Sequence, residues 1–163
     1  VDADRALTAA GRERVRAVSR MLVELGEEPL GVITSPLVRA VQTAEIVAQV
    51  TLLGGRGRGD TVRVRRQLSP SGDADALMRS LASERAERVM LVGHQPDLSE
   101  LVSQQLGGFD RSFEKAMVVG LAVPPHVDDP RRSQSVHPGS KVRLRFVLDP
   151  KTLRLDPDAR GGP

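Results

Sequence analysis

Apolar positions along the chain follow two periods. Val15, Val18, Leu22 and Leu25 stand at helical spacing, with Arg12, Arg16 and Arg20 mostly on the opposite face, so a helix is expected over about residues 9–25. Thr8 precedes it as an N-cap, and Gly26 is a natural stop. Gly31-Val32-Ile33-Thr34-Ser35 then reads as a short buried strand. Ser35 as N-cap and Pro36 at the first helical position open a second helix, whose buried stripe is Leu37, Ala40, Val41, Ala44, Val47 and Ala48.

Gly54 to Gly59 is a glycine and arginine loop, and Thr61 to Arg66 reads as a strand. Pro70, Gly72 and Asp73 make a turn before a helix over about 74–84. Arg88 to Gly93 is the best central strand in the chain. Beyond His94-Gln95-Pro96, Asp97 and Glu100 have the spacing of a capping box, and a helix runs to about Leu106. Met117 to Val123 is a strand, Pro124 to Ser140 a Pro- and Ser-rich loop, and Val142 to Leu148 alternates apolar and basic residues as an edge strand does. Asp156 to Pro163 is expected to be disordered. One domain over 1–150 with a tail at 151–163 is therefore expected. Strands alternating with helices predict a three-layer α/β/α fold with a mostly parallel sheet and helices on both faces.

Composition narrows the chemistry. The 163 residues are 39% hydrophobic, enough for a core between helix and sheet layers. Aromatics make up only 2%, all Phe, which leaves stacking recognition of single-stranded nucleic acid almost nothing to use. The net charge is +3 and the isoelectric point about 10.1. The cations are mostly Arg, and with no Cys or Tyr little else titrates above His. Arg56, Arg58, Arg63, Arg65 and Arg66 are interleaved with glycine and read as a basic loop rather than a nucleic-acid surface. Without cysteine there is no disulfide, no thiolate catalysis and no Cys-based metal site. No stretch has the apolar length of a membrane span, no signal-peptide pattern opens the chain, and a cytoplasmic protein is expected.

In doubly wound sheets, ligands bind beyond the carboxyl ends of strands. Two residues stand there. Arg39 lies in the first turn of the second helix, where a cation opposes the helix dipole unless an anion lies between them. Its guanidinium and the free N–H groups of the helix start together suit a phosphate or carboxylate; an ion pair with a surface acid is the other reading. His94 comes after a strand and a glycine in Leu91-Val92-Gly93-His94-Gln95-Pro96. It suits hydrogen bonding to an oxyanion, or satisfaction of backbone carbonyls. His126 and His137 fall in the Pro-rich loop and read as surface residues, and three histidines so spaced make no metal site. The G-x-S-x-G and G-x-x-x-x-G-K-[ST] patterns are both absent.

Four stretches resemble the motifs of SixA-type phosphohistidine phosphatases. Arg5-Ala6-Leu7-Thr8-Ala9-Ala10-Gly11 is similar to their R-x-L-T-x-x-G, and Ser35 to Thr43 to their S-P-x-x-R-A-x-Q-T. Leu68 to Asp73 is similar to L-x-P-x-G-D, and Leu91 to Pro96 to the strand-ending V-G-H-x-P. The four occur in family order over about residues 5–123. The resemblance implies the phosphoglycerate-mutase-like α/β/α fold of the histidine phosphatase superfamily, with a pocket for one phosphoryl group at the carboxyl edge of the sheet. It implies that Arg39 clamps the phosphoryl oxygens, that Arg5 adds charge, and that His94 bonds the oxygens and stabilises the transition state. Neither metal nor cofactor is implied. The substrate is expected to be phosphohistidine on a protein, with a small phosphate ester as the alternative, and a non-catalytic phosphate-binding relative as a third reading.

One motif of the family is missing. Its members open with a strand ending in R-H-G, whose histidine attacks phosphorus and forms a phosphohistidine that water hydrolyses. R-H-G occurs nowhere in these 163 residues. The family places it shortly before R-x-L-T, which is upstream of Val1 here. A full-length protein that carries the segment, and its buried strand, is therefore expected. SixA-type members also lack the Glu acid of ester-cleaving relatives. Asp73 stands near the position of such an acid, but it reads as turn chemistry. The 124–140 loop either caps the pocket or lies clear of it.

Overall fold

The computed structural model describes residues 4–52, 62–124 and 141–156. The elements are α1 (Ala9–Glu24), β1 (Gly31–Thr34), α2 (Val38–Leu52), β2 (Val62–Val64), α3 (Ala74–Ser83), β3 (Val89–Val92), α4 (Asp97–Leu106), β4 (Val118–Ala122) and β5 (Arg143–Leu148), with a 3-10 turn at Arg66–Leu68. The Gly54–Gly59 loop, most of the 124–140 loop with His126 and His137, and the segment after Asp156 lie outside the described residues.

The chain forms the expected α/β fold with a parallel sheet. The central sheet has the order β2-β1-β3, all parallel, and β4 pairs antiparallel with β5. Successive residues of β1 point to opposite faces and seed the two sides of the core. Val32 packs with Val15 of α1 and with Ala44 and Val47 of α2. Ile33 packs on the other side with Leu77 and Met78 of α3 and Leu101 of α4. Both residues are fully buried, which accounts for the apolar character of so short a strand.

Helix α1 buries Val15, Val18 and Leu22, as its spacing requires; Leu25, expected in the same stripe, is 37% exposed because the helix has already ended there. Thr8 caps α1 by accepting the Gly11 N–H, and Asp73 caps α3 by accepting the Ala76 N–H. Two helix starts differ from expectation. Helix α2 starts at Val38 rather than at Pro36, with the Leu37 carbonyl taking the first helical bond from Val41. The Ser35 hydroxyl, expected as its cap, does accept the Leu37 N–H at 3.3 Å, although the helix proper begins later, and it also contacts His94. In α4 no side chain caps the start, because the Asp97 carboxylate accepts the Ser71 N–H at 3.0 Å.

Strands β3 and β4 contribute to common clusters on both faces. Leu91 and Leu121 pack against the Ile33 cluster, and Met90 and Val118 against the Leu148 cluster. Yet among the described residues β3 pairs only with β1 and β4 only with β5. All nine of their residues are only half-buried. After β5 the chain turns back, with a bridge from Leu148 to Leu155 and a bond from the Asp156 N–H to the Val147 carbonyl.

Candidate active site

Three strand ends are level. Thr34 of β1 is in register with Val64 of β2 and with Val92 of β3. The ladders continue one residue further on each side: Ser35 N–H donates to the Val92 carbonyl at 3.0 Å, and Arg65 N–H to the Thr34 carbonyl at 2.8 Å. The residues just past each strand therefore emerge along one line at the carboxyl edge.

Past β1 the chain runs through Ser35 and Pro36 into α2, with Arg39 as the second residue of the helix. Past β3 it runs through Gly93 to His94. A Cβ on Gly93 would lie 3.3 Å from the Leu98 side chain, so the absence of one lets α4 close over the turn. The His94 carbonyl takes the Leu98 N–H at 3.0 Å, which ties the residue to the first turn of α4.

Arg39 and His94, both candidates on sequence grounds, come together. Arg39 Nη2 lies 3.5 Å from His94 Nδ1, and both side chains are half-buried. The other imidazole nitrogen, Nε2, lies 2.8 Å from Ser35 Oγ. Ser35 is wholly buried. Nothing in the sequence signals this contact, since Ser before Pro at a helix start already has a local explanation.

The remaining polar residues of Ser35-to-Thr43 hold this arrangement in place. Thr43 Oγ1 donates to the Arg39 carbonyl at 2.8 Å. Gln42 Oε1 accepts the Leu7 N–H at 2.8 Å and fastens the extended segment before α1 to α2. Arg5, the third sequence candidate, is exposed and stands two residues before that latch. Arg39 and His94 are in direct contact.

The chemical sense of the cluster is cationic. A guanidinium offers donors only. The first turn of α2 adds the positive end of the helix dipole. Such a set is made for an oxyanion. Asp73, the nearest thing to an acid in the sequence reading, is occupied in capping α3. Among the described residues no group of three or more His, Cys, Asp or Glu is gathered as metal ligands.

The chain and its fold have known relatives. The model of the histidine phosphatase superfamily (branch 1) matches residues 2–54, which include Arg5 and the whole of Ser35 to Thr43. A protein of Picosynechococcus sp., described only as uncharacterized, is 37% identical over 126 residues, which is 74% of this chain and 73% of that protein. In fold the chain is similar to the protein histidine phosphatase SixA complexed with tungstate, with a TM-score of 0.74 and 22% identity over 94% of this chain and 90% of that one. It is also similar to a structure assigned to SixA from Nakamurella multipartitia, with a TM-score of 0.63 and 23% identity over 93% and 88%.

Proposed function

Because the chain belongs to the histidine phosphatase superfamily, we propose that its carboxyl-edge cluster holds the phosphoryl group of a phosphohistidine carried by a protein, as part of a phosphatase of the SixA type. The observation that carries this reading is the meeting of Arg39 and His94, 3.5 Å apart, at the start of a helix and the ends of two in-register strands. A SixA structure of similar fold was obtained with tungstate, itself a tetrahedral oxyanion.

In the proposed reaction the P–N bond of phosphohistidine breaks as a nucleophile bonds to phosphorus. Negative charge is spread over the three equatorial oxygens. Arg39 meets two of them with parallel N–H donors, and the α2 start adds the positive end of its dipole. These donors are fixed before the substrate arrives, so stabilising the developing charge needs no reorganisation. The resemblance assigns the attack to the histidine of R-H-G, a tripeptide that these residues do not contain. The part of the chemistry that falls to this chain is therefore binding and charge stabilisation. Arg and His supply the positive charge that a metal ion supplies in other phosphoryl-transfer sites.

Calorimetric titration with tungstate and with inorganic phosphate tests the reading. The chain is expected to bind both, and Arg39→Ala to weaken binding by about 30-fold or more, the cost of a charge-assisted pair. Equal affinity in the variant would overturn the assignment. In a protein that carries R-H-G, hydrolysis of a phosphohistidine protein should exceed that of p-nitrophenyl phosphate and sugar phosphates; the reverse order would favour a small-ester phosphatase.

A further inference from the structure

Ser35 lies outside the machinery assigned above, yet it is buried against it. Its Oγ lies 2.8 Å from His94 Nε2 and accepts the Leu37 N–H at 3.3 Å. On the other side of the ring, Nδ1 faces Arg39 Nη2 at 3.5 Å. A guanidinium has no acceptor, so the nitrogen that faces it is the one with the lone pair. The proton of the neutral ring is then on Nε2, and the Ser35 oxygen is there to receive it. Both acceptor positions of that oxygen are used, one by Leu37 N–H and one by the imidazole.

We propose that Ser35 is a positioning residue for His94: its hydroxyl oxygen accepts the hydrogen bond from Nε2–H and holds the ring so that Nδ1, which accepts from Arg39 Nη2 in the free site, takes up the second proton when an oxyanion binds and donates it to that anion beside Arg39. This rests on the oxyanion site proposed above and adds which atom of the imidazole serves it. The physical reason is the same one by which an outer hydrogen bond selects the working nitrogen of a histidine elsewhere. Without the Ser35 oxygen, the ring is free to rotate about its side-chain torsions or to exchange tautomers, and either change turns the wrong atom to the anion. The wall behind the imidazole is rigid, since Ser35 N–H is itself bonded to the Val92 carbonyl at 3.0 Å, two residues before His94.

The test uses the chain labelled with 15N-histidine, with the His94 signals identified by their loss in His94→Gln. Above the ring pKa and without ligand, the wild type should show a protonated Nε2 and an unprotonated Nδ1. Inorganic phosphate should turn Nδ1 into a protonated nitrogen and leave the Nε2 signal nearly where it was. Ser35→Gly, a residue that helix starts tolerate almost as well as serine, should give mixed tautomers and about tenfold weaker phosphate binding, the scale of one lost hydrogen bond to a charged site. Ser35→Thr, which restores the hydroxyl, should recover both. A wild-type ring protonated on Nδ1, or a Ser35→Gly variant with wild-type ring signals and wild-type phosphate affinity, would overturn the proposal. Failure of the wild type to bind phosphate would overturn the proposed function instead, and the ring signals, read without ligand, would still decide the role of Ser35.

Discussion

At the scale of single residues, the turn before α3 shows how little room some positions leave. A Cβ on Gly72 would lie 2.4 Å from the Gln67 carbonyl oxygen and 2.9 Å from that of Arg66, both backbone atoms that cannot swing away. Gly72→Ala is expected to cost about 2 kcal/mol through forced backbone shifts, read as a lower midpoint in urea; an unchanged midpoint would show that the turn yields. Arg39 and His94 are legible in the sequence because their residue types are informative at a helix start and after a strand. Ser35 and Asp97 are legible only in part. Each has a local explanation as a cap, and each has its main partner far along the chain: His94 for Ser35, Ser71 for Asp97. Spacing rules see the near partner and not the far one.

At the scale of elements, the helices and strands fall within about two residues of the expected bounds, because hydrophobic periodicity is a local signal. The 3-10 turn Arg66–Leu68 is an exception. It has no period of its own to betray it, although it buries Leu68 in the Ile33 cluster. The β-bulge at Gly120–Leu121 is equally silent in the sequence; a Cβ on Gly120 would lie 2.3 Å from the Phe146 ring, so the ring lies directly on the glycine. Caps that are legible carry measurable stability. Asp73→Ala should destabilise α3 by about 1 kcal/mol, seen in thermal or denaturant unfolding, whereas Asp73→Asn should lose little. The turn after β5 gives a pH dependence. Hydrogen bonds from the backbone N–H groups of Thr152 and Lys151 hold the Asp149 carboxyl below its ordinary range. A depressed folded pKa adds stability at pH values above the unfolded pKa, and this is lost as the pH falls through the folded one. Stability should therefore fall less steeply with acid in Asp149→Asn than in the wild type, as measured by urea midpoints below the ordinary carboxylate range.

At the scale of the whole molecule, alternation of strands and helices is enough to predict the layers, and the rule for open α/β sheets is enough to predict the edge at which Arg39 and His94 meet. The order β2-β1-β3 is not predictable in this way, since neighbours in a sheet are chosen by packing across the layers rather than by any one segment. The half-burial of β3 is likewise unexpected from the segment that reads as the best central strand in the chain. Its cause is the side of β3 turned away from β1, and this has a consequence for exchange with solvent deuterium. The bond from Ser35 N–H to the Val92 carbonyl fixes Val92 and, by alternation along a strand, Met90 as the residues whose backbone groups face β1. The amide of Leu91 points the other way. Protection should thus rise and fall residue by residue along this one strand, with Leu91 exchanging at least about tenfold faster than its two neighbours. Equal protection at all three would reveal a further length of extended backbone lying along that rim.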